Sequence, residues 1–214
     1  LTLGIGSKVI KASDVIFERL VKEGDTASEA FKAGKKAFEA AHETWLKEID
    51  LVHVVKGEFE ERAADGVFAL KSGMHTVEGF DEFLALSRLS GKTYEVKEVT
   101  EFTLERIPEG GPILKKVFPN GVIQLQLPRD AFLNRIAYKQ ATIDVSSDVK
   151  RRGIKSLWPR SYSVESIAQI SKDIVESNSA LPNKAIIGNN NGIDIVIRAD
   201  EFKKVTTSYP KWVE

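Results

Sequence analysis

Two histidines that lie beside glycines are the first residues of this chain with a clear potential for chemistry. The 214-residue chain contains three histidines, and two of them occur in "HVVKGE", residues 53–58, and "SGMH", residues 72–75. An imidazole titrates near neutral pH, so a pair of them can accept and donate a proton in one reaction. His53 and His75 are therefore candidate catalytic residues, although a single histidine is more often a surface residue or a hydrogen-bonded core residue.

A lysine in a basic segment is the third candidate. The segment "KRRGIKSLWPR", residues 150–160, holds five basic residues and no acidic residue, in a chain whose formal net charge is +0. A fixed cation such as Lys155 can stabilise the charge that develops on phosphate oxygens in a transition state. Its neighbours Arg151, Arg152 and Ser156 are candidate substrate contacts. The alternative is that the whole segment is a solvated basic face.

A Thr-x-Tyr-Pro motif lies close to the C-terminus, in "TTSYP". Single-stranded RNA is usually bound by stacking bases on aromatic rings and by hydrogen bonds to base edges. Tyr209 supplies such a ring and is counted among the candidate catalytic residues, whereas the Thr207 hydroxyl is a candidate substrate contact.

In their order along the chain, these motifs resemble the EndoU family of endoribonucleases, in particular the bacterial members that form toxin domains at the C-termini of large secreted proteins. The shared order is a histidine before Gly-Glu, a second histidine after a glycine, a lysine before Ser-x-aromatic-Pro, a capped helix, and a final strand with Thr-x-Tyr-Pro. The resemblance covers roughly residues 51–212. It implies metal-independent cleavage, in which the RNA 2′-hydroxyl attacks the adjacent phosphate and leaves a 2′,3′-cyclic phosphate.

The resemblance also implies partners and a location. The expected partners are an RNA substrate, with tRNA as one candidate, and a cognate immunity protein that is acidic where it contacts the toxin. The chain would be secreted as part of a larger bacterial effector and act in the cytoplasm of the target cell. The rival interpretation is a non-catalytic module that binds RNA or a protein through its basic segment.

Composition excludes several other kinds of site. The chain has no cysteine, so disulfides, zinc-thiolate sites and thiol nucleophiles are all excluded. Three histidines leave little for a metal centre, and we expect neither a metal nor another cofactor. No apolar run approaches the roughly 18 residues that a membrane span needs, so no membrane association is expected. The chain begins at Leu1 and its sole methionine is Met74, which predicts a fragment of a longer protein.

Hydrophobic periodicity predicts an α+β fold, with N-terminal helices followed by antiparallel sheets and packed helices. The family resemblance further implies a nuclease fold of the barnase/EndoU/colicin/RelE type. One helix ends at Gly24, and a second begins at Thr26, which has Glu29 in capping-box spacing, and extends to Ile49. Residues 1–50 are accordingly interpreted as a helical segment packed on the nuclease domain, and residues 51–214 as an EndoU-like RNase domain.

The remaining predicted elements are short. We expect a helix that ends at Gly91, a strand in "TYEVKEVTEFTLERI", and a strand in "NGVIQLQLP" after an Asn-Gly turn. Ser163 should cap a further helix, and the C-terminal residues should form an antiparallel meander in which Ile193, Ile195 and Ile197 share one face.

Overall fold

The N-terminal helices lie against the rest of the chain in the computed structural model, which describes residues 15–139, 153–178 and 184–211. Helix α1 includes residues 15–23 and is followed by Gly24, and helix α2 spans Ala27–Ala41. The capping box is confirmed, because the Thr26 side chain accepts from the Glu29 backbone and the Glu29 side chain accepts from the Thr26 backbone. From α2, the Phe31 ring packs edge-on against Phe59, with ring centroids 5.4 Å apart.

The prediction that this second helix continues to Ile49 is wrong. Residues 42–48 form turns, and Ile49 makes a parallel bridge with Val205. Around this bridge, the Asp50 N–H donates to the Val205 carbonyl at 2.8 Å and the Val205 N–H donates to the Glu48 carbonyl at 2.8 Å. These long-range hydrogen bonds fix the backbone of residues 48–50, so tertiary pairing overrides the local helix propensity.

A π-helical turn, a hairpin and a helix follow. The π turn spans Val52–Lys56, the hairpin pairs β1 (Glu58–Glu61) with β2 (Phe68–Ser72), and α3 spans Val77–Leu89. The side chain of Thr76 caps α3 by accepting from the Gly79 N–H. As predicted, this helix ends just before Gly91.

A four-stranded sheet occupies the middle of the chain. It comprises β3 (Val96–Glu98), β4 (Ile113–Val117), β5 (Ile123–Gln126) and β6 (Ile154–Leu157), in the order β3-β4-β5-β6. The β3–β4 pair is parallel and the other two pairs are antiparallel. A short 3-10 turn (Arg129–Ala131) and helix α4 (Arg135–Lys139) follow β5.

The long strand predicted in residues 93–107 is mostly wrong, because only Val96–Glu98 pairs. The following loop is held instead by Gln126, whose amide group donates to the Glu105 carbonyl at 2.8 Å and accepts from the Thr103 N–H at 3.1 Å. A side chain thus takes the hydrogen bonds that a partner strand would have taken.

The C-terminal region follows the prediction closely. Ser163 caps helix α5 (Val164–Ser177), and an antiparallel meander follows. Its strands are β7 (Ile186–Asn190), β8 (Ile193–Ala199) and β9 (Val205–Pro210). The side chains of Ile195 and Ile197 are fully buried in a hydrophobic cluster that also contains Ile167 of α5.

The described residues form two hydrophobic clusters, and together they make a mixed α+β fold of helices and mainly antiparallel sheets. One cluster lies among α3, the β1–β2 hairpin and the four-stranded sheet, and it includes Met74 and Leu157. The other lies between α5 and the three-stranded sheet, and it includes Val54 and Trp158. The segments that carry the predicted site residues therefore lie where the two clusters meet.

Candidate functional site

The two candidate histidines are brought together by backbone hydrogen bonds between their segments. The Met74 N–H donates to the His53 carbonyl at 3.0 Å, and the His75 N–H donates to the Val54 carbonyl at 2.9 Å. The imidazole rings lie 5.9 Å apart, centroid to centroid. Two side chains separated by 22 positions in sequence can therefore act on one small group.

This approach of the backbones depends on the glycine of "SGMH". Gly73 has φ +70°, and a Cβ atom at this position would lie 2.0 Å from the His53 carbonyl oxygen. Real atoms cannot approach so closely, so any other residue would push the two segments apart. The glycine is explained by this contact, whether or not it also borders a substrate.

The His53 ring is oriented by a short polar chain. The Ser72 hydroxyl donates to the Glu58 carboxylate, and its oxygen lies 3.5 Å from His53 Nδ1. Since the Ser72 hydrogen is directed to Glu58, its oxygen can only accept from His53, which assigns the proton to Nδ1 and leaves a lone pair on Nε2. The contact is long, so it orients the ring more than it stabilises it.

The His75 ring is held more tightly. Its Nδ1 lies 3.3 Å from the Ser156 carbonyl oxygen, which can only accept, so Nδ1 carries a hydrogen. The ring stacks on Tyr209, with centroids 4.7 Å apart and an interplanar angle of 18°. The backbone N–H of Trp158 donates to the backbone carbonyl of His75 at 2.7 Å. Both histidines thus use Nδ1 for orientation and keep Nε2 for other contacts.

Lys155 lies beside the histidines on β6. Its side chain is 3% exposed, and Nζ donates to the Gly73 carbonyl at 2.7 Å. Burial lowers the pKa of Lys155 to about 7. A carbonyl dipole alone compensates a buried ammonium poorly. The amine therefore loses its proton readily when no anion is present.

The imidazoles respond to the same surroundings. Burial, and then the charges of Lys155 and His53, hold the pKa of His75 well below its ordinary value. Burial and Lys155 also lower the pKa of His53, although Asp50 and Glu58 partly oppose this shift. The cluster would gain protons if a negative charge were placed next to it.

The remaining candidates are placed less uniformly. Thr207 and Tyr209 are both buried and alternate with Ser208 along β9, so they share one face of the strand. Ser156 contributes its backbone carbonyl to His75, while its side chain points away from that of Lys155, its neighbour on β6. Arg151 and Arg152 lie outside the described residues.

The described basic residues and the candidate catalytic residues differ in their exposure. Lys155 is buried and so does not form part of a solvated basic face, whereas Arg160 is exposed and forms an ion pair with Asp81 at 2.6 Å. His75 and Tyr209 are each 4% exposed, and only His53, among the four candidate catalytic residues, is partly exposed. The His53 side therefore offers the direct access for a substrate.

Sequence reasoning missed two residues near the cluster. Ser72 directly precedes the glycine of "SGMH", but no pattern distinguished it from other serines. Arg198 lies on β8 opposite Thr207. The alternation of "GIDIVIR" could have revealed it, because Ile195 and Ile197 were assigned to the core face and Arg198 must then face the other way.

The described residues offer neither a metal site nor a membrane-spanning helix, and the chain has no match among known proteins. Within residues 15–139, 153–178 and 184–211 no group of three or more histidine, aspartate or glutamate side chains could hold a metal ion. No helix in the same part of the chain has the length and apolar character to cross a membrane. No protein-family model, curated protein or solved structure matches the chain significantly.

Proposed function

We propose that this protein is a metal-independent endoribonuclease that cleaves RNA by transesterification. The RNA 2′-oxygen attacks the adjacent phosphorus, the P–O5′ bond breaks, and the products carry a 2′,3′-cyclic phosphate and a 5′-hydroxyl. One observation carries the proposal: two imidazoles 5.9 Å apart and a buried lysine form a cluster of groups that can all become cationic. Such a cluster is suited to a phosphodiester, whose single negative charge it would neutralise.

We assign the role of general base to His53. Its Nδ1 hydrogen points to Ser72, so the Nε2 lone pair is available to remove the proton of the 2′-hydroxyl. A base becomes positively charged as it works, and the nearby carboxylates of Asp50 and Glu58 favour the protonated imidazole. The Glu58–Ser72–His53 chain thus supports the base in the way that a carboxylate orients a histidine in other hydrolytic sites.

We assign the role of general acid to His75. Burial makes its protonated form unstable, so an imidazolium at this position gives its proton easily to the departing 5′-oxygen. Tyr209 stacks on the ring and, with the Ser156 carbonyl, fixes its orientation. Tyr209 consequently acts first through His75, and one of its faces is already occupied.

Lys155 stabilises the charge that builds up on the non-bridging phosphate oxygens. A buried cation is effective for this purpose because water does not screen it. The phosphate in turn favours the protonated amine, which burial alone disfavours. The phosphate and the Lys155 ammonium therefore stabilise each other's charge.

The resemblance to the EndoU family also leads us to propose a biological role for the chain. The chain would be the toxic part of a larger secreted bacterial effector, would attack RNA such as tRNA in the cytoplasm of a competitor, and would be blocked in the producing cell by an immunity protein with an acidic contact surface. Opposite potentials would accelerate this association and fix its orientation.

The test of the reaction uses purified protein and a labelled single-stranded RNA. Cleavage should persist in excess chelator and yield 5′-hydroxyl and 2′,3′-cyclic phosphate ends. His53→Ala and His75→Ala should each lower the rate by about 10²–10⁴-fold, the usual contribution of a general acid or base.

The third histidine provides a matched control. His42 lies at the end of α2, against Phe38 and Glu165, and contacts none of the proposed catalytic residues. His42→Ala should cleave at the wild-type rate. Products with a 5′-phosphate, or activity that EDTA abolishes, would reject the mechanism.

A further inference from the structure

A cation beside the proposed site has no assigned role. Arg198 lies on β8 directly opposite Thr207 of β9, and Val196 lies opposite Tyr209. Directly opposed residues of antiparallel strands have their side chains on the same face of the sheet, and diagonal neighbours lie about 7–8 Å apart. Arg198 is therefore a diagonal neighbour of Tyr209, whose ring stacks on His75.

The Arg198 guanidinium has an unsatisfied buried donor and no carboxylate partner among the described residues. Its Nε atom is buried and has no hydrogen-bond partner within the described part of the chain. No aspartate or glutamate of these residues forms an ion pair with it, whereas Lys115, whose buried Nζ also lacks a hydrogen-bond partner, is ion-paired with Glu98. An unsatisfied buried donor costs about 1–3 kcal/mol, which makes it an informative exception.

Exposure increases across this face of the sheet in one direction. In the row that contains Arg198, Thr207 on β9 is 5% exposed, Arg198 on β8 is partly buried, and Ala185 just before β7 is exposed, whereas Val196 in the neighbouring row is fully buried. A bound chain that leaves the cluster along this face toward solvent passes over Arg198. The guanidinium is therefore placed beside the path and not at its end.

We propose that Arg198 binds a phosphate of the RNA backbone that neighbours the phosphate being cleaved. This inference rests on the proposed ribonuclease function and adds a substrate-binding residue to it. An arginine is charged at all relevant pH values, and its fork of N–H donors fits phosphate oxygens. A neutral base edge could satisfy the donors but would leave the half-buried charge uncompensated, so a phosphate is the better complement.

The test measures binding without cleavage. A short single-stranded oligonucleotide with 2′-O-methyl groups cannot react, so its affinity is measured by fluorescence anisotropy over a range of salt concentrations. Each phosphate contact to a single strand contributes about −0.7 to the slope of log K against log salt. Arg198→Met, which keeps an apolar stem, should make the slope less steep by about 0.7.

Two variants serve as controls. Arg198→Lys keeps the charge and should retain the wild-type salt slope with a modest loss of affinity. Lys184→Ala removes an exposed charge that precedes β7 on the same sheet and should leave the slope unchanged. Thermal melting of each variant verifies that it is folded before its slope is compared.

The outcomes separate this inference from the proposed function. An unchanged salt slope in folded Arg198→Met would overturn the phosphate contact. If the slope is unchanged but the base preference changes, Arg198 recognises a base instead of a phosphate. Failure of the wild-type protein to bind the oligonucleotide would also overturn it. If the wild-type and Arg198→Met proteins differ in salt slope as expected, but the wild-type protein does not cleave unmodified RNA, the ribonuclease function is rejected and the phosphate contact is retained.

Discussion

Two buried lysines on the same face of one sheet have different surroundings. Lys115 of β4 and Lys155 of β6 both lie opposite Leu125 of β5, so their side chains point the same way. Lys115 is 0% exposed and its Nζ lies 2.7 Å from a Glu98 carboxylate oxygen, which the register of β3 places directly opposite. Lys155 is 3% exposed, and its Nζ donates to the Gly73 carbonyl.

The comparison separates a structural charge from a functional one. A buried cation is expensive unless it is paired, and a sequence selected only for stability would pair it or replace it with an apolar residue. Lys115 follows this rule. Lys155 instead lies next to two imidazoles whose pKa values are lowered by burial, and within the described residues no carboxylate forms an ion pair with it. An anionic substrate would supply the missing charge.

The largest expected difference is in catalysis. Lys155→Met should lower RNA cleavage by about 10²–10³-fold, because removing one group that stabilises transition-state charge usually costs that much. Lys115→Met removes a lysine with the same burial from the same sheet and should leave the rate within a few-fold of wild type. Single-turnover cleavage assays at pH 6.5 measure both. Equal losses in the two variants would show that the sheet, and not the charge, limits activity.

A smaller difference is expected in stability, and it has a definite sign. The pKa of Lys155 is lowered from 10.5 to about 7 in the folded state. Below pH 7 the folded protein bears the full cost of a buried ammonium, and this cost declines as the pH rises from 7 toward 10.5. Lys155→Met should therefore raise the free energy of unfolding at pH 6 by a few kcal/mol, on the order of its linkage energy, and by little near pH 10.

Urea denaturation at several pH values measures this effect. The Lys115→Met variant is the control, because replacing a paired lysine also removes a favourable contact with Glu98. A stability gain in Lys155→Met that is the same at pH 6 and pH 10 would contradict the linkage argument. A variant that gains stability while it loses activity would be typical of a functional site.

The sequence predicted the local elements near the C-terminus well, because these elements carry strong local signals. Ser163 as a helix cap and the alternation of Ile193, Ile195 and Ile197 were sufficient for α5 and the meander. The end of α2 and the loop after β3 could not be predicted in the same way. They depend on Val205 and Gln126, which reach them from distant parts of the chain.

In the candidate site, too, some features could be predicted from local sequence and others depend on distant contacts. The residue types of His53, His75 and Lys155 indicated acid–base chemistry on a phosphate, and the structure places them together. Their burial could not be predicted, since it arises where two hydrophobic clusters meet. Ser72 was missed because its position relative to Glu58 depends on a hairpin register with an irregularity between Glu58 and Phe59.

The smallest expected difference between the Lys155 and Lys115 variants is in the pH dependence of kcat/KM. This measurement tests most directly whether the charge of Lys155 is required. In the free enzyme the base, His53, must be neutral, and its lowered pKa places the rising limb of kcat/KM below pH 6.5. The acid, His75, and the cation, Lys155, must both be protonated, while burial lowers both of their pKa values. The plot of log kcat/KM should therefore pass through a maximum on the acidic side of neutrality.

Above pH 7 the two protonation requirements act together, so the slope of log kcat/KM against pH should approach about −2. Lys155→Arg keeps its charge throughout this range, and its slope should approach about −1 even if its absolute activity is lower. Lys115→Arg should keep the steeper wild-type slope. If Lys155→Arg also retained the wild-type slope, the second proton would belong to another group, and the lysine would act by position alone.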